Sequence, residues 1–227
     1  MHLEPGVVTG GKLALAYAAA AGSVAIMAGL SMHTVREDGG KAALALRSVA
    51  TTILVLIFFE VFPHYSVGVS EVHFIFGATL YLVFGGGPAA TGLAVGLLIQ
   101  GLLFAPNDLP QYFINVTTLI VPLWAVDKVA HRIIRPDTPY VSLAPTQVVS
   151  LAATYQGGVI LLVVLWSLYG GGFGAANLAQ VGAFAINYLV VILVEPIVAM
   201  LILAGAKTID PMVKAPILHK RLHHPIT

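Results

Sequence analysis

The sequence predicts an all-α polytopic membrane protein, a bundle of about seven transmembrane helices with the N-terminus outside and the C-terminus in the cytoplasm. Of its 227 residues, 58% are hydrophobic and 9% are charged, and the mean hydropathy is +0.92. A soluble domain carries about 25% charged residues, so this chain has too few ionic side chains to cover a surface in water. Several apolar stretches also have the length of about 20 residues that a helix needs to cross a bilayer.

Six stretches have, or nearly have, the spanning length. They are residues 13–32, 42–62, 88–105, 113–130, 146–169 and 178–206. A further stretch, residues 73–84, is shorter, and one helix from 73 to 105 would be about 50 Å long at 1.5 Å per residue. The run Gly85-Gly86-Gly87-Pro88 would break such a helix. We therefore predict a hairpin of two helices there, with a short or re-entrant first member, which makes seven crossings.

Basic residues set the predicted orientation, because Lys and Arg in short loops stay on the cytoplasmic side of a membrane. With the N-terminus outside, ten of the 11 basic residues lie at the inner side and only Lys12 lies outside. Residues 1–206 are predicted to form one transmembrane domain of the cell's inner membrane. Residues 207–227 are predicted to form a short basic cytoplasmic tail that faces lipid headgroups.

Charge and composition exclude several classes of function. The formal net charge of +1 gives no basic face for nucleic acid. Because there is no cysteine, disulfides and Cys-ligated metals are excluded, and nitrogen or oxygen would hold any metal ion. The sequence has no phosphate loop of the GxxxxGK(S/T) type, so energy for uphill transport would come from a partner ATPase.

The first six residues, MHLEPG, carry a possible metal-binding segment. They lack the basic and apolar regions of a secretory signal, so we expect Met1 to be the mature first residue. A free α-amine, the amide nitrogen of His2 and the His2 imidazole are contiguous donors that close fused five- and six-membered chelate rings. One more imidazole would complete four nitrogens in a plane, which suits Cu(II) and Ni(II), with Co(II) just below them in affinity.

Three histidines fall on the predicted outer side and are candidates for that arrangement: His2, His64 and His73. His73, at the start of a predicted helix, is the expected fourth ligand. His64 is the alternative ligand, or a group that supports the ligands by hydrogen bonding. Glu60, near the outer end of its helix, is equally well interpreted as a hydrogen-bond acceptor for a ligand imidazole or as an interfacial carboxylate in water.

Three segments resemble the CbiM/NikM family, the substrate-capturing membrane subunits of energy-coupling-factor transporters for cobalt and nickel. They are MHLEPG at 1–6, HFIFGATLYLVFGGGPAATGLAVGLLIQGLLFAPNDLPQYFINVTTL at 73–119, and ILVEPIVAMLILAGAKTIDP at 192–211. The resemblance implies a square-planar metal site made by the Met1 amine, the His2 amide nitrogen and imidazole, and the His73 imidazole. It also implies that Asn115 lines or supports the binding loop and that Gln100 is the family glutamine on the preceding helix.

The same resemblance implies the cargo and the partners. Co²⁺ or Ni²⁺ would be the transported substrate, and no organic cofactor is expected. The expected partners are a transmembrane coupling protein and two ATPase subunits, with a small accessory membrane protein as a further candidate. Planar nitrogen coordination admits copper, nickel and cobalt alike, so the ligand set does not by itself select the metal.

Small residues recur every four positions in the first predicted helix, and such stripes let helix backbones approach closely. The two stripes are Ala14, Ala18 and Gly22, and Ala21, Ala25 and Gly29. Packing inside the bundle is the default expectation, and docking of the coupling protein is the functional alternative that the resemblance supports. Glu195, before Pro196 in the last helix, is predicted to bond to backbone freed by a proline-linked kink, with a place on a translocation path as the alternative.

Two other classes of function stay open. An intramembrane metal- or haem-dependent enzyme could use the same histidines, although the sequence lacks HExxH and the outer histidines are not spaced i, i+4 on one helix. A passive metal channel is the second alternative. Blocking the N-terminal amine would leave a channel active but would destroy the chelate.

Overall fold

The computed structural model describes residues 7–208 and 217–224, so the predicted ligands Met1 and His2 lie outside the described residues. Within those ranges the chain forms seven α-helices, one β-hairpin and short 3₁₀ segments. The elements are α1 (Leu13–Glu37), α2 (Gly40–Glu60), β1 (Tyr65–Val67), β2 (Ser70–Val72), α3 (Gly77–Phe84), α4 (Gly86–Leu103), α5 (Tyr112–Ile133), α6 (Pro145–Gly171) and α7 (Ala175–Lys207).

Six of the described helices, all except α3, are long and apolar enough to cross a membrane. The prediction of an all-α, multi-pass membrane protein is therefore confirmed. The helices extend beyond the apolar stretches at several ends; α1, for example, continues to Glu37, five residues past the predicted limit at 32. Polar residues such as His33 and Arg36 form these extensions, because a helix continues where its side chains reach the headgroup region.

The third segment is a broken one, as the glycine and proline run predicted. Residues 73–76 are not helical, and α3 then has only eight residues, all of them buried. Gly85 separates α3 from α4 with a φ of +91°, a backbone conformation that glycine adopts readily and other residues rarely do. Non-helical backbone at membrane depth is tolerated where protein encloses it. Five long helices, α2 and α4 to α7, contact α3 and provide that enclosure.

Glu195 of α7 satisfies the backbone at the start of α3. Its Oε1 accepts hydrogen bonds from the backbone N–H groups of Ala78 (2.8 Å) and Thr79 (3.2 Å). These N–H groups belong to the first turn of a helix and have no partner within it. Glu195 thus has the structural role that was predicted, but toward α3 rather than toward the backbone near Pro196.

Gln156 of α6 connects Glu195 to the non-helical segment. Its Nε2 donates to Glu195 Oε2 (2.6 Å) and to the carbonyl oxygen of Ile75 (2.8 Å). Tyr188 of α7 donates its hydroxyl proton to Gln156 Oε1 (2.8 Å). Glu195, Gln156 and Tyr188 are all fully buried. Glu195 and Gln156 therefore satisfy backbone groups that have no partner within the broken third segment, and Tyr188 supports Gln156.

The end of the bundle that the basic residues predict to face the cytoplasm is called the inner end, and the opposite end is called the outer end. Residues 217–224 of the tail dock at the inner end. The backbone N–H of His219 donates to the carbonyl oxygen of Val83 at the end of α3 (2.8 Å), and the N–H of Lys220 donates to Asp38 Oδ1 (3.1 Å). The His219 ring stacks on Tyr140, and burial lowers its pKa to about 4, although the neighbouring Asp38 carboxylate acts in the opposite direction. The tail was expected to face lipid headgroups. This part of it packs on protein instead.

Candidate metal centre

A β-hairpin at the outer end of the bundle leads into the predicted ligand His73. Tyr65 pairs with Val72 and Val67 with Ser70, so the two strands are antiparallel and joined by a two-residue turn. The turn begins with Gly68, whose φ is +62°. A Cβ at this glycine would lie 2.1 Å from the carbonyl oxygen of Gln180. Glycine is therefore required there both for its conformation and for the close contact of the hairpin with α7.

His73 is buried, with 1% of its surface exposed, and a carboxylate fixes one of its ring nitrogens. Its Nε2 lies 2.9 Å from Oε2 of Glu71. The two residues are two positions apart at the end of β2, and alternate residues of a strand lie on the same face. A carboxylate that accepts the proton of one imidazole nitrogen fixes the tautomer and leaves the other nitrogen basic. The Glu71 contact therefore assigns Nδ1 of His73 as the nitrogen suited to a metal ion.

Aromatic rings hold the His73 imidazole in place on two sides. Phe59 of α2 packs against it edge to face, with ring centroids 5.0 Å apart. His64 stacks nearly parallel to it, also at 5.0 Å and with an interplanar angle of 15°. A metal ion lies in the plane of an imidazole that ligates it, and two stacked parallel rings do not share a plane. In this arrangement, His64 and His73 are therefore not two ligands of one ion, and the exposed His64 covers the buried His73 instead.

Glu60 does not have the hydrogen bond that the sequence suggested for it. Within the described part of the chain, it makes no hydrogen bond to either outer histidine, and Glu71 has that role. Glu71 is not among the predicted site residues, because its segment is not apolar enough for a spanning helix and was expected to be a loop. The alternation of residues around Gly68 in YSVGVSEV, with an acid two positions before the histidine, is the signal that could have found it.

Gln100 and Asn115 lie together but apart from the histidines. Both are buried, in α4 and α5 respectively, and they line one small cavity together with Asp108 of the connection between these helices. Oε1 of Gln100 has no hydrogen-bond partner among the described residues. His73 does not line this cavity. The structure thus brings the two amide residues to one place, and the histidines and Glu71 to another.

Val7 and Val8, the first described residues, are fixed at the outer end of the bundle by a hydrogen bond and by close packing. Gln111 donates a hydrogen bond from Nε2 to the carbonyl oxygen of the fully buried Val8 (3.2 Å). Gly170 at the end of α6 has no room for a side chain, because a Cβ would lie 1.9 Å from the carbonyl oxygen of Val7. An extended chain covers at most about 3.5 Å per residue, so His2 could reach about 17 Å from Val7.

No group of three or more His, Asp and Glu residues that could hold a metal ion occurs within residues 7–208 and 217–224. A four-nitrogen site at His73 would therefore take its other donors from outside these ranges. Met1 and His2 are candidates for those donors, because the chain upstream of Val7 starts from the outer end, where His73 lies.

The small residues of α1 are exposed, all six of them. A Cβ added at Gly22 or Gly29 would meet no atom within 4 Å. The buried residues of α1 are instead Ala16, Ala20, Ser23 and Thr34. The two stripes therefore do not serve packing inside this chain, which differs from the default expectation, and they leave one face of α1 open to a neighbour in the membrane.

Comparison with known proteins gives one family and two similar folds. The family model CbiM, described as the cobalt uptake substrate-specific transmembrane region, matches residues 2–213. A solved structure of a truncated transition metal transporter is 16% identical, with a TM-score of 0.67, and the match covers 91% of this chain and 98% of that one. A second transition metal transporter is also 16% identical, with a TM-score of 0.66 and coverages of 94% and 96%. Among curated proteins, no sequence matches the chain. At this identity the two structures show the fold alone.

Proposed function

Because the chain belongs to the CbiM family of cobalt uptake transmembrane proteins, we propose that it is the substrate-capturing membrane subunit of an energy-coupling-factor transporter. Family membership makes it a multi-pass membrane component of transition-metal uptake, and thus a transport protein rather than an enzyme. The finer proposal is that it captures divalent cobalt or nickel at the outer end of the bundle. The metal is the transported substrate, and no organic cofactor takes part.

The burial of His73 beside Glu71 is the observation that carries this proposal. An imidazole that donates Nε2–H to a carboxylate presents Nδ1 as a lone-pair donor of fixed direction and raised basicity. Phe59 and His64 hold the ring between them, so little conformational freedom is lost when a ligand binds. A buried histidine with such support is better suited to metal binding than the exposed His64.

The other three donors in the proposal are the Met1 amine, the His2 amide nitrogen and the His2 imidazole. Together with His73 they give four nitrogens, the donor type that favours a planar Ni(II) or Cu(II) site and accepts Co(II). Residues 1–6 are thus the proposed metal-binding segment. The anchoring of Val8 by Gln111 supports this, because it starts the segment at the outer end.

The exposed face of α1 supports a partner in the membrane. We infer that the coupling protein of the transporter packs against the stripe Ala14, Ala18 and Gly22 and the adjoining Ala21, since small residues allow close approach of two helices. Ala25 and Gly29, farther along α1, line a cavity at the inner end. Two ATPase subunits, attached through that coupling protein, would supply the energy that this chain cannot obtain through a phosphate loop of its own. A small accessory membrane protein is a further candidate partner. In this proposal, Gln100 and Asn115 support the outer loop between α4 and α5.

Extension of the N-terminus by one residue tests the proposed chelate. The added residue moves the α-amine away from His2, so the fused rings cannot form, and we expect purified protein to lose high-affinity Ni²⁺ and Co²⁺ binding in calorimetric titration. Glu4→Ala is the matched control, because it alters the same segment without moving the amine or the imidazole. Unchanged stoichiometry and affinity in the extended protein would contradict the chelate. Metal uptake that persists in cells carrying the extended protein would favour a channel.

A further inference from the structure

A cavity of about 550 Å³ opens at the inner end, between α1 and α5. Its wall changes character along the helix axis. On α1, it runs from Ala25 and Gly29 to His33 and Thr34, and on α5 from Trp124 to Lys128. From Ala25 to Thr34, α1 rises by about 14 Å, which is close to half the thickness of a ~30 Å hydrocarbon core. The cavity is therefore apolar toward the membrane centre and polar toward the inner surface.

Arg221 of the docked tail lines the polar end of this cavity and is only 4% exposed. Its Nη2 donates to the carbonyl oxygens of Arg135 (2.6 Å) and Ile134 (3.3 Å), and its guanidinium lies over the Tyr140 ring, 5.0 Å from the centroid. Among the described residues, it forms no ion pair, and its Nε has no hydrogen-bond partner. A buried charge without a counterion is costly. Within residues 7–208 and 217–224, no carboxylate therefore balances this charge.

The carboxylates near the cavity already have cationic partners. Asp127 lies 3.1 Å from Lys128 Nζ and 3.6 Å from His131 Nδ1, and it also accepts a hydrogen bond from the Tyr81 hydroxyl. Asp38 is 2.5 Å from Nη1 of Arg47, which is fully enclosed. Neither acid pairs with the guanidinium of the tail, and the exposed Glu37 contacts His33 instead. Among the described residues, the polar end of the cavity thus has one more positive charge than its acids balance.

We propose that this cavity binds an anionic phospholipid of the inner leaflet, with its phosphate at Arg221 and an acyl chain along Ala25, Gly29 and Trp124. Guanidinium groups form strong charge-assisted hydrogen bonds with phosphate oxygens, and Arg221 lines the polar end of this cavity. Basic pockets between helices on the cytoplasmic side are suited to anionic headgroups. The Trp124 side chain is 41% exposed, so the apolar wall is open to the surrounding lipid.

Lipid binding at this place would be coupled to docking of the tail. Arg221 reaches the cavity only because residues 217–224 lie against the ends of α3 and α5, so a lipid that contacts Arg221 binds the docked form alone. A ligand that binds one of two states stabilises that state in proportion to its affinity. The bound lipid would therefore hold the inner end closed beneath α3, a property that does not depend on metal capture.

Native mass spectrometry of the full-length protein in uncharged detergent tests the proposal. The probes are phosphatidylglycerol and the zwitterionic phosphatidylcholine at equal concentration. We expect one phosphatidylglycerol to be retained, with at least a tenfold preference, and we expect Arg221→Gln to lose that preference. Arg132→Gln is the matched control, because Arg132 is exposed at the same end and does not line the cavity. Gly29→Leu, which fills the apolar wall without changing charge, is expected to reduce retention of the lipid.

Four outcomes would overturn the proposal. Equal retention of the two lipids would show that charge does not select the ligand. Equal loss of the phosphatidylglycerol preference in the Arg132 and Arg221 variants would show that the guanidinium in the cavity does not bind the headgroup specifically. Displacement of the lipid preference by inorganic phosphate or glycerol phosphate at millimolar concentration would identify a site for a soluble anion. Should Arg221→Gln fail to fold, undiminished retention by Gly29→Leu would refute the proposed acyl-chain path.

Discussion

Replacement of Glu71 by glutamine is expected to weaken metal binding without removing a ligand. In the structure, Oε2 of Glu71 is 2.9 Å from Nε2 of His73, and this is a contact between a carboxylate and an imidazole that is 1% exposed. Glutamine keeps the length of the side chain and a neutral acceptor oxygen, but it removes the negative charge that makes the imidazole a stronger donor to the metal.

The expected magnitude follows from the role of such contacts. Removing a group that orients a metal-ligating histidine costs 10- to 100-fold in metal affinity, or about 1.4 to 2.7 kcal/mol. Since glutamine retains a hydrogen bond, Glu71→Gln should lie near the tenfold end and Glu71→Ala near the hundredfold end. Competition with a chromophoric chelator for Ni²⁺ measures differences of this size on the purified protein.

Glu60→Gln is the matched control for this measurement. Glu60 lies at the same end of the bundle, at the end of α2, and within the described residues it does not bond to either histidine. Its substitution should leave the affinity within about twofold. The reasoning would be refuted by an unchanged affinity in Glu71→Gln and Glu71→Ala, or by an equal loss in the Glu60 variant, which would indicate a general effect of outer-end charge.

Four further expectations come from other parts of the molecule. His73→Ala should lower Ni²⁺ affinity at least about tenfold, or 1.4 kcal/mol, whereas His64→Ala should have a smaller effect; the reverse order in calorimetry would move the fourth ligand to His64. Glu195→Ala should lower the unfolding midpoint in detergent by about 4–8 °C, because the loss of acceptors for buried N–H groups costs about 2 kcal/mol, and an unchanged midpoint would contradict the capping role. Gly22→Leu should leave folding intact and reduce co-purification with a coupling protein, compared with Gly205→Leu, which is equally open; equal capture by both variants would argue against the α1 face. Protection of residues 217–224 from hydrogen exchange should be complete above about pH 6.5 and fall toward pH 4, because the docked His219, with its pKa lowered to about 4, binds fewer protons than the undocked one; a flat profile would contradict this.

The sequence was sufficient to predict the long helices, because hydropathy indicates how many consecutive residues lipid can surround. It was less informative at their ends. The turns that extend α1 to Glu37 and that begin α7 at Ala175 contain polar residues, so hydropathy alone does not mark them as part of a spanning helix. The break between α3 and α4 was predictable from the glycine and proline run at 85–88. The non-helical residues 73–76 before α3 were not, because their apolar sequence also suits a helix.

Long-range contacts were the part that the sequence could not give. Glu195 was identified as unusual because a carboxylate in an apolar helix is costly, but its partners Ala78 and Thr79 are more than 110 residues away in the chain. The same holds for Arg221, whose hydrogen bonds reach Ile134 and Arg135. Local patterns indicate that a polar side chain needs a partner, whereas only the packing of helices determines which partner it finds.

In the candidate site, His73 could be predicted from the sequence, whereas the position of His64 relative to it could not. His73 was selected because of its side of the membrane, and the structure places it at the outer end, buried and supported by Glu71. The stacking of His64 on His73 could not be foreseen, because it depends on the strand geometry of the hairpin. That geometry places the two rings in parallel planes and favours one of the two outer histidines as the ligand.

X-ray absorption at the nickel edge of the loaded protein tests the central claim most directly. We expect a planar, four-coordinate ion with nitrogen donors only, two of them imidazoles, and the loss of one imidazole contribution in His73→Ala. A six-coordinate, oxygen-rich spectrum that is the same in the wild type and in His73→Ala would contradict that claim.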